Sequence, residues 1–512
     1  MIYSLQDINP KTYEGDMIFM YGDESAERVL PLGKREVELV KGKRSGEWRA
    51  ESGERRAESG ERRAESGKDF VVAFDRLPSR LYFVSFDSER KGAEVQERLR
   101  LLAAEVLRLL ERDGVREVAL CGEGTLPEEV AAMVEGLTLA DYSFDRYKSK
   151  ECYHLERLAV SKVFFSEEEL ESQRRLWNRI WWCREWVNMP VADLNAERFA
   201  DELEAVARDL EGVRCTVMDR KKIESLRMGG LLGVNRGSVD EPRFVVLEYD
   251  GCAGVESGER RVESGEGAPG ERPIVLVGKG VMYDTGGLNI KPDDYMQEMK
   301  SDMAGAATMA SVVFAAADNG LPVRVVALLP LTDNRPGGNA YAADDILTMY
   351  DGTTVEVVNT DAEGRLILAD AIAYGVKNYN PRVIIDAATL TGAAVRAIST
   401  FGIAAMQTNA ERELEMLKIV GEEVHERLVE FPMWREYDEL IKSEYADLRN
   451  CGTTPQAGTI TAGKFLAHFA KDVPFVHLDI AGVAYFTKAQ GYYRAGASGY
   501  GTRLLYGFLQ MQ

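Results

Sequence analysis

The sequence predicts an α/β protein in which a small N-terminal α/β domain is joined by a long helix to a larger C-terminal α/β domain, whose mostly parallel central sheet is flanked by helices. Three observations carry this. From about residue 190 onward, apolar strand-like runs alternate with amphipathic helical stretches, the pattern of strands that pair in parallel through crossover helices. A helix of about 22 residues, opening at Ser166, precedes that region and is long enough, at roughly 33 Å, to bridge two domains. A shorter helix–strand–helix pattern fills the first 165 residues.

Taken in chain order, residues 1–165 form the N-terminal domain. Val95, Leu99, Leu102, Val106 and Leu109–Leu110 recur at helical spacing, and Gly114 stops that helix. Val115–Leu120 reads as a buried strand, and another helix starts near Pro127. Residues 51–67, ESGERRAESGERRAESG, repeat with a period of seven, and ESGERRVESGE echoes it at 256–266. Apolar residues for an a/d seam are missing and glycine recurs, so both read as solvated loop insertions rather than coiled coil. Ser166 and Glu169 form a capping box, and the helix they open ends where Asn188 and Pro190 intervene. Residues 166–190 are therefore the linker helix, and its Trp177, Trp181, Trp182 and Trp186 read as packing. Residues 191–512 form the larger C-terminal domain, with a loop insertion at about 254–270. Its strands are expected at Phe244–Tyr249, Ile274–Val277, Val323–Leu329, Thr354–Val358, Val383–Ala387 and Phe475–Ile480, with helices at Met303–Ala317 and Leu366–Val376.

The composition excludes several classes. With 63 Lys+Arg against 84 Asp+Glu the net charge is −21, unsuited to nucleic acid or an anionic membrane surface. No apolar run approaches the ~18 residues of a membrane span, and the opening residues show no basic-then-apolar signal. The six cysteines are far apart and form no CxxC pair, so reduced thiols in a cytoplasmic protein are expected.

Ligands of such sheets gather beyond the carboxyl ends of the strands, and polar motifs lie there. Ile274–Val277 is followed by GKGVMYDTGGLNIKP, whose glycines are expected to turn the backbone sharply; it matches neither GxxxxGK[ST] nor GxGxxG. Asp302 precedes a small-residue helix. After Thr354–Val358 comes NTDAEGR, where alternation in extended backbone would point Asp361, Glu363 and Arg365 into one site. Asp284, Asp302, Asp361 and Glu363 would then gather at one sheet edge, raising one another's pKa unless about two divalent cations balance them. Only four histidines occur and none has a metal-ligand spacing, which argues against a His-based zinc protease; with no GxSxG elbow, a Ser-His-Asp hydrolase is also disfavoured. His477 reads as a packed, hydrogen-bonded core residue.

Residues 359–366, NTDAEGRL, are identical to the signature octapeptide of the leucyl aminopeptidase family of two-metal cytosolic aminopeptidases. VGKGVMYDTGGLNIKP (277–292) and MKSDMAGAA (299–307) resemble that family's metal-binding loops. LLPLTDNRPGGNAY (328–341), AATLTGA (387–393), HLDIAGVAY (477–485) and GYGTRLL (499–505) are also similar, in family order. The resemblance covers roughly 185–512.

It implies a metal-dependent aminopeptidase that hydrolyses the N-terminal peptide bond of peptides, preferring Leu-like apolar residues, through a water activated between two divalent ions per subunit. Zn²⁺ or Mn²⁺ would come first, with Mg²⁺ or Co²⁺ as alternatives. One ion would be held by Lys279, Asp284, Asp302 and Glu363, the other by Asp284, Asp361 and Glu363. Lys291 would stabilise the oxyanion, and Arg365 would anchor a bicarbonate ion that shuttles the proton. Met299, Asn359, Thr389, Leu390, Gly392 and Ala481 would line the substrate pocket. Tyr283 and Ala304 depart from the family's usual Phe and Gly. A homohexamer with inward-facing sites is also implied. The alternatives are a non-catalytic structural or regulatory hexamer of the same fold and a two-metal phosphoesterase. Because the second insertion is so polar, deleting 254–270 should give soluble protein with an unchanged circular dichroism spectrum; insoluble product would show that the segment packs.

Overall fold

Strands form where β-branched and aromatic residues run together, and helices where apolar residues recur every three to four positions. The computed structural model describes residues 1–22, 32, 34–45, 69–76, 79–87, 89, 92–252 and 272–512. The repeat segments 51–67 and 256–266, with the insertion at 254–270, lie outside the described residues. The chain divides into two units, Met1–Trp177 with Lys488–Arg494, and Asn178–Thr487 with Ala495–Gln512.

In the first unit, β1 (Ile2–Gln6), β2 (Met17–Tyr21), β3 (Phe70–Arg76), β4 (Ser79–Ser85), β5 (Glu117–Glu123) and β6 (Arg157–Ser161) form one sheet in the order β1-β6-β5-β2-β4-β3. Only the β3–β4 pair is antiparallel. The expected helix spans Ala93–Asp113 and ends at Gly114, whose φ of +69° supplies the left-handed C-cap. Ser166 and Glu169 make their reciprocal cap: the Ser166 N–H donates to Oε2 of Glu169 (2.8 Å), and the Glu169 N–H donates to Oγ of Ser166 (3.2 Å). The helix they open covers Glu167–Asn188. Of its tryptophans, Trp177 and Trp186 are buried, whereas Trp181 is 37% and Trp182 is 45% exposed, with Trp182 packed against Trp186 at 5.6 Å between ring centroids.

The second unit holds a nine-stranded sheet. It contains β7 (Val213–Met218), β8 (Arg243–Asp250), β9 (Ile274–Gly278), β10 (Gly280–Asp284) and β11 (Arg324–Asn334). Also in it are β14 (Val383–Ala388), β15 (Ile403–Thr408), β16 (Leu428–Glu430) and β18 (Phe475–Asp479). The order is β16-β15-β18-β14-β9-β11-β8-β7, with β10 paired to β11. The centre, β18-β14-β9-β11-β10, is parallel, and antiparallel pairings flank it. β12 (Ile346–Thr348), β13 (Thr354–Glu356) and β17 (Leu448–Arg449) make a separate three-stranded sheet. The run 354–358 is thus a strand outside the central sheet, a correction to the sequence reading. It alternates weakly and pairs with two strands of three residues or fewer.

The helix Ala304–Asp318 is buried along nearly its whole length, which its small side chains allow. Its approach explains Gly278, expected to serve a turn: a Cβ there would lie 2.6 Å from the Cα of Ala306. Among the described residues, all six cysteines are free and no helix is long and apolar enough to cross a membrane. Buried Glu426 accepts from Nε of Arg503 (3.1 Å) and from the N–H groups of Gly501 (2.9 Å) and Leu504 (3.0 Å), at the start of the helix Thr502–Gln510. Glu426→Ala removes a buried ion-pair partner and the cap of that helix together, so chemical denaturation should show a loss of about 3–5 kcal/mol.

Candidate active site

The parallel strands end side by side, and each delivers a polar group. Lys279 follows β9, Asp284 ends β10, Asn334 ends β11, Thr389 and Leu390 follow β14, and Asp479 ends β18. Asp302 closes a 3-10 turn begun by Met299, whose carbonyl accepts its N–H (3.3 Å). Glu363 sits at the start of the helix Gly364–Tyr379, in helical conformation with φ −73° and ψ −39°. The segment from Asp361 to Arg365 therefore turns into a helix and is not extended, and the convergence of its side chains comes from the turn. Asp284, Asp361 and Glu363 each offer a carboxylate oxygen within 4.8 Å of one another.

Two lysines thread this cluster. Nζ of Lys279 lies 2.7 Å from Oδ1 of Asp302 and 2.9 Å from Oε1 of Glu363, and donates to the carbonyl of Thr389 (2.9 Å). Nζ of Lys291 lies 2.8 Å from Oδ2 of Asp284 and 2.6 Å from Oδ1 of Asp361. Burial works against both ammonium groups, but the carboxylates outweigh it and carry both above the ordinary lysine value. Burial, with the charge of Asp284 next, lifts Asp361 to about 6. Oδ2 of Asp302 is buried with no hydrogen-bond partner. Four carboxylates of which one keeps an unused buried oxygen, joined by two amines, form a donor set suited to hard or borderline divalent cations.

The remaining residues singled out in the sequence fall into two groups. Oγ1 of Thr389 donates to Oδ1 of Asp302 (2.7 Å), while the N–H groups of Leu390 and Ala481 both reach Oδ1 of Asp479 (3.2 Å each). Gly392 opens the helix Gly392–Ile398. Oδ1 of Asn359 accepts the Asp361 N–H (2.8 Å). Arg365, in the first helical turn, is buried with its Nε unpartnered, and among the described residues it pairs with none of the four carboxylates. His477 is fully buried, its Nδ1 2.7 Å from Oδ1 of Asp386, as the sequence suggested.

Sequence reasoning passed over Asn334, Thr360, Gly364 and Asp479. Of these, Thr360 and Gly364 were within the octapeptide; a Cβ at Gly364 would stand 2.5 Å from Cε of Lys279. Asp479 gathers three N–H groups, from Leu390, Thr391 and Ala481, and accepts from Oγ1 of Thr391 (2.7 Å). Its position at a strand end, where polar side chains serve sites, was the available signal.

Residues 181–506 match the catalytic-domain model of the cytosol aminopeptidase family, and residues 64–151 match that family's N-terminal-domain model. The chain belongs to the cytosol aminopeptidase family. A probable cytosol aminopeptidase of Geobacter sulfurreducens is 39% identical over 447 residues, covering 85% of this chain and 86% of the relative. One from Chlorobaculum tepidum is 44% identical over 401 residues, covering 75% and 76%. Among solved structures, the bottromycin maturation enzyme BotP in complex with Mn is similar at 28% identity with a TM-score of 0.80, covering 97% of this chain and 99% of that one. A mutant of tomato leucine aminopeptidase shares the fold at 23% identity, with a TM-score of 0.82 and coverage of 100% and 96%. The protein is a peptidase, a hydrolase of the aminopeptidase class.

The contact at Gly364 generates a test on this enzyme. Gly364→Ala should push Lys279 from its carboxylates and lower kcat/KM by about a hundredfold, the scale of a ~1 Å misplacement. Circular dichroism should be unchanged, since alanine is a good helix former.

Proposed function

We propose that the enzyme is a metal-dependent aminopeptidase that removes Leu-like apolar residues from the N-terminus of peptides at a two-ion centre. The observation that carries this is the convergence of Asp284, Asp302, Asp361 and Glu363 with Lys279 on one edge of the parallel sheet. The donors fit two divalent ions: Lys279, once the charge of the ions had driven off its proton, would hold one together with Asp284, Asp302 and Glu363, and Asp284, Asp361 and Glu363 would hold the other. Zn²⁺ or Mn²⁺ suits this mixture of oxygen and nitrogen best, with Mg²⁺ or Co²⁺ next. When bound, such ions polarise the scissile carbonyl and lower the pKa of a water between them.

The chain's own residues would do the rest. Lys291, kept charged by Asp284 and Asp361, stands beside the carboxylates and would donate to the oxyanion. Arg365, buried with an unpartnered Nε, fits a small anion, and bicarbonate there would accept and return the proton that a His-poor site cannot handle. Thr389 and Asp302 are tied together, and Asp479 draws Leu390 and Ala481 to one carboxylate. Thr389, Leu390 and Ala481, with Met299, Asn359 and Gly392, would form the pocket. A pocket combining Met299 with a residue as small as Ala481 would suit a branched aliphatic side chain. A cytoplasmic homohexamer, with an N-terminal domain over 1–165, the linker helix 166–190 and the catalytic domain 191–512, completes the reading.

The test is hydrolysis of a leucine anilide by chelator-stripped protein resupplied with Mn²⁺ or Zn²⁺. Activity should vanish on stripping and return with metal, exceed that on a glycine or glutamate anilide, and be abolished by Glu363→Gln with the fold intact. Inactivity under every metal would favour a scaffold, and full activity of Glu363→Gln would remove the assigned centre.

A further inference from the structure

Asn334 is fully buried at the end of β11, where it stands in register with Asp284 across the β10–β11 pair. Its Nδ2 donates to Oδ1 of Asp284 (2.8 Å) and to the main-chain carbonyl of Thr360 (3.0 Å). Both partners are pure acceptors, so the amide must present its two protons to them and its oxygen the other way. Its own main-chain carbonyl accepts the N–H (3.0 Å) and Oγ1 (2.7 Å) of Thr285. One residue thus grips the loop that follows Asp284 and, through Thr360, the peptide that leads into Asp361.

Asp284 ends β10 and Asp361 lies 77 residues further on, before the helix Gly364–Tyr379. The ion pairs of Lys291 join the two carboxylates through one long side chain, whereas Asn334, from a strand of the sheet, joins the Asp284 carboxylate to the main chain of Thr360. Thr360 adds a second link, its Oγ1 donating to the carbonyl of Gly286 (2.6 Å), but this joins loop to loop without touching a carboxylate. The Tyr341 hydroxyl also donates to the Thr360 carbonyl (2.6 Å) and likewise leaves Asp284 untouched. Of Asn334, Thr360 and Tyr341, Asn334 alone joins a carboxylate to the neighbouring loop. By occupying Oδ1 of Asp284, together with the Gly286 N–H (2.8 Å), it leaves Oδ2 turned toward Lys291 and the centre.

We propose that Asn334 is a positioning residue of the ion centre, one amide that sets the separation of Asp284 and Asp361 and selects which oxygen of Asp284 is offered. This rests on the two-ion reading above. Outer partners of this kind typically change ion affinity by about 10–100-fold when removed.

The experiment is calorimetric titration of MnCl₂ into chelator-stripped wild type, Asn334→Ala, Asn334→Leu and Tyr341→Phe, with folding checked by circular dichroism and particle size. The two Asn334 variants should be folded and bind Mn²⁺ about 10–100-fold more weakly, while Tyr341→Phe stays within about threefold, because its hydrogen bond ends on the loop and not on the carboxylate. Wild-type affinity in the Asn334 variants, or an equal loss in Tyr341→Phe, would overturn the proposal. So would failure of both Asn334 variants to fold, since the residue would then serve the fold rather than the centre. No Mn²⁺ uptake by the wild type would instead defeat the two-ion reading, and this inference with it.

Discussion

Four carboxylates crowded together, three of them buried, set the terms for the rest of the catalytic unit. Asp284, Asp302 and Glu363 are each 4% exposed or less, and Asp361 joins them from the rim. Charge of one sign at that density cannot be buried without compensation. Lys279 and Lys291 supply two cationic groups against four carboxyl groups, fewer than would match them one for one. The residual imbalance and the idle oxygen of Asp302 are what make the site hungry for cations. A cluster of this kind can persist only where rigid elements prevent its members from moving apart.

The parallel sheet provides that rigidity. Its central strands are buried on both faces; β9, β14 and β18 end in register, and β10 and β11 end together beyond them, so polar residues at these ends converge. Tight approach of the small-residue helix Ala304–Asp318 fixes the floor, with the Ala306 N–H donating to the Lys279 carbonyl (2.9 Å) and the Lys279 N–H to Ala387 (3.1 Å). Glycine at 278 and 364 lets backbone and lysine pass where a methyl group would collide. Neutral donors then hold the charged ones: Asn334 on Asp284, Thr389 on Asp302, and the Leu390 and Ala481 amides on Asp479.

Much of this was legible in the residues. Apolar runs such as Ile274–Val277 and Val383–Ala387 are strands because β-branched side chains buried on both faces have few other homes. The Ser166–Glu169 cap and Gly114 marked helix ends through local hydrogen bonding and φ alone. Where the reading failed, the deciding contacts were distant in sequence. The run 354–358 looked like any other strand, yet its partners β12 and β17 placed it outside the main sheet. The segment 361–365 fitted extended alternation until the helix beginning at Gly364 claimed it.

By itself, then, the sequence determined the fold class, the helix ends and the identity of the charged residues, since these follow from local periodicity, capping and a compact run of motifs. Tertiary structure decided which oxygen of each carboxylate meets which amine, that Asn334 joins Asp284 to Thr360, and that Asp479 gathers the Leu390 and Ala481 amides. Those pairings span tens of residues and depend on register between strands and on the close approach of helices, quantities fixed only when the whole core packs.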